Sequence, residues 1–184
     1  MSGKLSGNMT LTRIRVPAGF VVAAIVLYLA TPTLKSIAMG LTPALLGLLF
    51  RASAAGTIQK NESLASRGPY RLTRNPLYFG SFLLSAGFSI MSGSLVSAGL
   101  LMIPFAVIYD GVIRKEESHL SELFGAEFQQ FRRAVPRFFP RRVSLRIMES
   151  FSRTQYLTNR EYNAALGFVA ATVVLLIKYL ARNP

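Results

Sequence analysis

Five apolar stretches, separated by short polar or basic gaps, restrict this chain to a membrane. They run over about Val16–Leu34, Ser36–Ile58, Leu77–Met91, Leu95–Ile113 and Tyr162–Leu180. A bilayer-spanning helix needs ~20 mostly apolar residues, with a lower limit of ~17. In hydrocarbon every backbone N–H and C=O must be satisfied within the segment, so stretches of this kind become helices. The expected fold is therefore an all-α integral membrane protein with about five transmembrane helices. The third stretch is short for an independent span. It is expected to form a tight helical hairpin with the fourth, turning at Ser92-Gly93-Ser94.

Charge then orients the bundle. With the N-terminus placed in the cytoplasm, the inner segments hold Lys4, Arg13 and Arg15, then Lys60, Arg67, Arg71 and Arg74, then ten more cations from Arg114 to Arg160. The outer segments hold Lys35 and Arg182, with Lys178 near the outer end of the last helix. Cytoplasmic loops carry the excess of Lys and Arg, so the N-terminus is expected inside and the C-terminus outside. No A-x-A cleavage site follows the first apolar run, which is read as a retained helix. A prokaryotic inner membrane suits this pattern.

The formal charge of +13 would point to nucleic acid in a soluble protein. Here the cations lie between apolar segments, so anionic membrane lipid is the expected partner and nucleic acid is not. With no cysteine and one histidine, His119, neither a thiolate nor a multi-histidine metal site is available.

Single residues carry further expectations. Arg51 interrupts the second stretch; it is either a functional intramembrane charge or an arginine snorkelling to the inner interface. Asp110 is expected to pair with Arg114, four residues on. Ser81, Ser85 and Ser89, with Gly80 and Gly87, form a small-residue stripe suited to close helix approach. Residues 141–161 are basic and intermittently apolar, with Val143, Ile147, Met148 and Phe151 as one face of an interfacial helix.

Two motifs sit where plain membrane sequence would be expected. The first runs from Gly68 to Gly80 and contains Arg74-Asn75-Pro76-Leu77-Tyr78. Pro76 suits the first helical turn, whose free N–H groups and positive dipole end favour a carboxylate or phosphate. The second begins at Glu116-Glu117, where the fourth helix is expected to continue into the cytoplasm, with Leu120, Leu123 and Phe124 at helical spacing. Gly125 should end or bend that helix before Phe128, Phe131 and the exit Val135–Pro140. Adjacent carboxylates at a basic surface either bind a cationic group or balance nearby arginines.

The order G-x-Y-x-x-x-R-[HN]-P-x-Y-x-G, hairpin, E-E-x-x-L, F-G-x-E-[YF], V-P-R-x-x-P resembles the membrane methyltransferases related to isoprenylcysteine carboxyl methyltransferase and to phospholipid methyltransferases. The resemblance covers about Gly68–Pro140. It implies S-adenosylmethionine as methyl donor, a cytosolic cofactor pocket, and a lipophilic acceptor arriving from the bilayer. By position it implies cofactor contacts at Arg74, Asn75, Pro76, Tyr78, Gly80, Glu116, Glu117, Leu120, Gly125, Phe128 and Pro136. Arg74 and Arg114, and less directly Arg51, are implied to orient an acceptor carboxylate; Glu116 or Glu117 could take a proton from an amine acceptor. Asn75 stands where the carboxyl methyltransferases usually have histidine, and Phe128 where tyrosine is frequent.

The chain is thus read as a single membrane domain: two helices over 1–61, a catalytic hairpin with the motifs over 62–140, the basic interfacial segment 141–161, and a last helix over 162–184. The expected reaction is O-methylation of an isoprenylcysteine-like carboxylate, with N-methylation of a phospholipid amine as the alternative. A membrane NADPH reductase and a non-enzymatic lipid-binding scaffold are the rivals from other classes.

Overall fold

The structure, a computed structural model, describes residues 19, 21–59, 62–142, 144 and 146–183. Lys4, Arg13, Arg15, Lys60 and Val143 lie outside these residues. The described residues form helices and connecting turns without strands. They comprise α1 (21–29), α2 (Leu34–Thr57), α3 (Pro76–Ser92), α4 (Leu95–Ala134), α5 (Arg153–Thr158) and α6 (Tyr162–Arg182). Among them α2, α4 and α6 are long and apolar enough to cross a membrane; α3, with 17 residues, is shorter. The protein is an all-α integral membrane protein, as expected.

Local chemistry sets the boundaries. The first apolar stretch stops before Leu34, because Thr33 and Ser36 cap α2 reciprocally: Ser36 N donates to Thr33 Oγ1 and Thr33 N to Ser36 Oγ, both at 3.0 Å. Leu34 therefore opens α2 instead of closing the first stretch. The α3–α4 hairpin turns where expected. Gly93 takes a left-handed conformation (φ 61°) after α3, and Ser94 Oγ accepts from Ser97 N to start α4. The α4 helix continues past its apolar half to Ala134, broken at Gly125 (φ 47°, ψ −118°), a conformation essentially restricted to glycine.

The chain runs up and down. Thr31 N donates to Ser92 O at 2.7 Å, and Lys178 Nζ to Leu27 O at 2.8 Å. The end of α1, the α3–α4 turn and the C-terminal half of α6 therefore share one end of the bundle. The C-terminus of α2 and the N-termini of α3 and α6 share the other, where every described cation from Arg67 to Arg160 lies.

The tightest packing joins α2 to α3, and it rests on glycines. A Cβ on Gly47 would lie 2.6 Å from Gly80 O and Leu84 N; one on Gly87 would lie 2.6 Å from Ala44 N and Cβ. The small-residue stripe works through Gly80 and Gly87, while Ser81 and Ser89 return their hydroxyls to their own helix at Leu77 O and Ser85 O. Because backbone atoms cannot swing aside, Gly47→Val should separate the helices and cost ~3 kcal/mol or more. Thermal unfolding in detergent checks this; a melting temperature within a degree or two of wild type would show that the contact does not hold α2 to α3.

The described residues of 141–161 form no single helix. They make a 3-10 turn at Arg146–Met148 and the six-residue α5, and they dock on the C-terminal end of α2. Ser53 Oγ donates to Ile147 O, Ser152 N to Gly56 O at 2.8 Å, and Asn159 Nδ2 to Ala55 O at 2.8 Å. Ile147 is buried and Phe151 lies over Gly56. The small residues Ser53 to Gly56 leave a shelf on α2 against which Ile147 is buried, while Met148 and Phe151 stay exposed.

Candidate active site

The two motifs are fastened to one another by main-chain bonds. Arg74 N donates to Pro136 O at 2.9 Å. Thr73 Oγ1 and Asn75 Nδ2 both donate to Arg137 O, at 3.1 and 2.9 Å. The exit tail is held by aromatic contacts: Phe138 meets the edges of Phe79 and Phe82, each with ring centroids 5.8 Å apart. Pro136, implied as a cofactor contact, accepts from Arg74 N and so holds the loop that leads into α3.

Beside this junction lies a cleft of about 460 Å³, within the ~300–1,000 Å³ usual for small-molecule sites. Its walls come from the C-terminal end of α2, the loop before α3, the first turns of α3, residues 109–131 of α4 and the approach to α6. Six expected residues line it: Arg74, Asn75, Pro76, Tyr78, Glu116 and Leu120. Tyr78 Oη donates to Glu116 Oε2 at 2.7 Å. Glu116 forms no ion pair among the described residues, so a carboxylate faces the cleft with only a phenol against it.

Glu117 behaves differently. Adjacent residues on a helix point ~100° apart, and Glu117 leaves the cleft for a partly buried arginine cluster. Its Oε1 lies 3.1 Å from Arg74 Nε and accepts from Asn75 Nδ2 at 3.4 Å; its Oε2 lies 3.7 Å from Arg137 Nε. Both arginine Nε atoms are buried without an aligned hydrogen bond, so these contacts are ion pairs. Burial lowers the pKa of Arg74; Glu117 opposes that shift, and Arg132 and Arg137 add to it. The carboxylate pair therefore splits between the two sequence readings: Glu117 balances arginines, and Glu116 is open to a ligand.

Other expected residues stand elsewhere. Gly80 meets Arg51 and Gly47 of α2, where a Cβ would lie 2.7 Å from Arg51 Cγ; it serves helix packing. Gly125 is exposed and makes the kink. Phe128 is buried 6.5 Å from Phe131, and it is Phe131 that lines the cleft. Arg114 is exposed and paired to Asp110, Nε to Oδ2 at 2.7 Å, as the spacing predicts; Arg137 Nη1 shares that carboxylate through Oδ1 at 2.8 Å. Arg114 does not reach the cleft.

Arg51 lines the cleft and is held there by an ion pair. Its Nε lies 2.6 Å from Glu161 Oε1 and its Nη2 3.0 Å from Oε2, while Nη1 donates to Ser81 Oγ. This bidentate pair ties α2 and α3 to the start of α6 at the deep end of the cleft. Tyr70, Tyr109, His119, Phe124, Asn159 and Glu161 also line the cleft and were not anticipated. Tyr109 stacks on Phe105 at 4.0 Å and meets Tyr78 edge-on at 5.2 Å. Tyr70 and Phe124 belong to the two motifs, whereas an aromatic every few residues along α4 is ordinary in a membrane helix, so nothing in the sequence marked Phe105 or Tyr109.

Burial raises the pKa of Tyr70, and the charges of Glu116 and of Tyr78 raise it further. The phenol stays neutral well above its ordinary ~10. The sign follows directly: above pH ~10 the unfolded chain loses this proton while the folded one keeps it, so stability falls as pH rises. Tyr70→Phe should flatten that part of the stability curve, read by unfolding at pH 9 to 11; an unchanged slope would mean that Tyr70 does not report the burial.

Residues 18–127 match the phospholipid methyltransferase family. That is more than half of the chain. The chain belongs to the phospholipid methyltransferase family. As a member, it is similar over 150 residues (33% identity; 79% of this chain, 67% of the relative) to the nickel-cobalt-cadmium resistance protein NccN of Alcaligenes xylosoxydans xylosoxydans. It is 37% identical over 119 residues (64% of this chain, 54% of the relative) to the cobalt-zinc-cadmium resistance protein CzcN of Cupriavidus metallidurans. Over 94 residues it is 30% identical to the protein-S-isoprenylcysteine O-methyltransferase of Schizosaccharomyces pombe, covering 51% of this chain and 40% of that protein. No solved structure matches the chain. In this family member the cleft draws Phe131, Asn159 and Glu161 from beyond the matched residues.

Proposed function

We propose that this protein transfers a methyl group from S-adenosylmethionine to a lipophilic acceptor at the cytoplasmic face of the membrane. One observation carries the reading: Glu116, without a cationic partner among the described residues, faces a cleft walled by Tyr70, Tyr78 and Tyr109. A carboxylate among aromatic faces is a receptor for a cation. S-adenosylmethionine supplies an electrophilic methyl on a sulfonium and also carries an ammonium.

The residues fit that group in three ways. Glu116 and the tyrosines hold positive charge. The free N–H groups of the first turn of α3, after Asn75-Pro76, suit a carboxylate. Phe124, Phe131 and Leu120 offer apolar surface for a ring. In-line methyl transfer needs alignment, and positioning alone can supply up to ~7–11 kcal/mol of barrier reduction in favourable intramolecular cases. The cleft reaches Arg51, six residues before the end of α2, or ~9 Å along the helix axis. An acceptor embedded in the bilayer would meet it there. The basic end of the bundle is assigned to the cytoplasm by the positive-inside rule.

The first acceptor reading is an isoprenylcysteine-like carboxylate, which is already ionised and needs no base. N-methylation of a phospholipid amine is the second, and a specific observation favours it: Arg51 and Arg74 both already carry carboxylates, Glu161 and Glu117. Neither is left unpaired for an acceptor carboxylate, while Glu116 is placed to receive a proton from an amine. The test is transfer of labelled methyl from S-adenosylmethionine, by the full chain in lipid, to a farnesylcysteine analogue or to phosphatidylethanolamine. Label in either organic extract supports methyl transfer and identifies the acceptor class. No binding of S-adenosylmethionine by folded protein would remove the reading.

A further inference from the structure

The inner half of α4 is a wall with two sides. Glu116, His119 and Leu120 face the cleft; Arg114, Glu117, Ser118 and Ser121 face away, at the i, i+3, i+4, i+7 spacing of a single helix face. That second face closes a separate, open recess of about 480 Å³. The kink at Gly125 folds the end of α4 back towards it, and Gln129 Nε2 donates to Ser121 Oγ at 2.9 Å across the bend. Arg132 thereby comes to the rim, and Arg137 enters from the exit tail.

Four guanidinium groups, those of Arg74, Arg114, Arg132 and Arg137, line the recess. Two carboxylates answer them, Glu117 inside and Asp110 at the edge. Positive charge remains in excess. Arg132 is exposed and forms no ion pair among the described residues. Arg74, whose side chain is 8% exposed, is already ion-paired to Glu117, so the uncompensated charge of the recess is that of Arg132. The hydroxyls of Ser118 and Ser121 supply further donors. Planar guanidinium forks together with hydroxyls match an anion with several acceptor oxygens in a tetrahedral array.

We infer that this recess binds a phosphate group, either that of an anionic phospholipid headgroup or free phosphate. It is distinct from the proposed methyl-transfer cleft, and only Arg74 lines both. The inference does not depend on the methyl-transfer reading. It differs from general attraction of a basic loop to an anionic surface in requiring one saturable site.

The full chain in neutral detergent is titrated by calorimetry with inorganic phosphate and, separately, with micelles carrying phosphatidylglycerol; phosphatidylcholine micelles are the zwitterionic control. Saturable binding to at least one phosphate probe is expected. Arg132→Gln should weaken it by about tenfold or more, and Ser118→Ala severalfold. Arg153→Gln, a substitution at an exposed cation on α5, should leave it unchanged. Both test side chains are exposed, and unchanged melting temperatures verify that the variants fold. Binding of inorganic phosphate assigns a free anion; binding confined to phosphatidylglycerol assigns a headgroup. No saturable binding to either probe, or equal losses in Arg132→Gln and Arg153→Gln, would overturn the inference.

Discussion

Glu116→Gln is expected to weaken S-adenosylmethionine binding by about tenfold to a hundredfold, the range lost with one charge-assisted interaction. Glutamine keeps the shape and an oxygen that can still accept from Tyr78 Oη, so the change removes charge and little else. Methyl transfer should fall at least in step with affinity, because the same carboxylate holds the cofactor aligned. Calorimetry with the wild type, Glu116→Gln and Glu117→Gln separates the two carboxylates. Glu117 sits in the arginine cluster behind the cleft, so its variant should lose stability before it loses specific affinity. A scaffold that merely holds lipid would be indifferent to Glu116→Gln. Wild-type affinity in that variant is the result that would sink the cation-receptor reading of the cleft.

Glu161→Ala is expected to cost ~3–5 kcal/mol of stability, since it strands a mostly buried arginine. The side chain of Glu161 is 9% exposed and that of Arg51 is 24% exposed. Arg51 would retain only Ser81. Because the pair spans 110 residues of chain, its loss should also free the start of α6 and widen the deep end of the cleft. The double variant Arg51→Met/Glu161→Leu should recover most of the stability, as buried ion pairs often tolerate exchange for apolar residues. Recovery of stability without recovery of methyl transfer would assign the pair a further part in the reaction. Unfolding of the four proteins in one detergent measures the coupling; a single-variant cost below about 1 kcal/mol would mean that water or lipid headgroups already screen the pair.

Some of this architecture is local and was legible early. The α3–α4 turn at Gly93, the break at Gly125 and the Asp110–Arg114 pair each depend on residues within a few positions of one another, where helix geometry and backbone sterics decide. Hydropathy alone carries the first stretch to Leu34, whereas α1 ends at residue 29, because Thr33 caps a second helix that hydropathy does not separate from the first. The spacing of Ile147, Met148 and Phe151 suggests one helical stripe after Pro140, but Ile147 packs at the small residues Ser53–Gly56 of α2, a partner some ninety residues away that periodicity does not reveal.

The candidate site divides in the same way. Motif order alone picked out Asn75, Pro76, Tyr78, Glu116 and Leu120, which α3 and α4 bring to one cleft. It also picked out Gly80, Gly125 and Pro136, whose surroundings make them a helix contact, a kink and a loop fastener. What the sequence by itself determined is the all-α membrane class and the residue types at the basic ends of the helices. The tertiary structure alone decided which of two adjacent glutamates meets the cleft, that Arg51 finds Glu161, and that four arginines share a second recess. Periodicity sets which residues share a helix face, but which face meets which neighbour depends on contacts far apart in the chain, such as the glycine-to-glycine approach of α2 and α3.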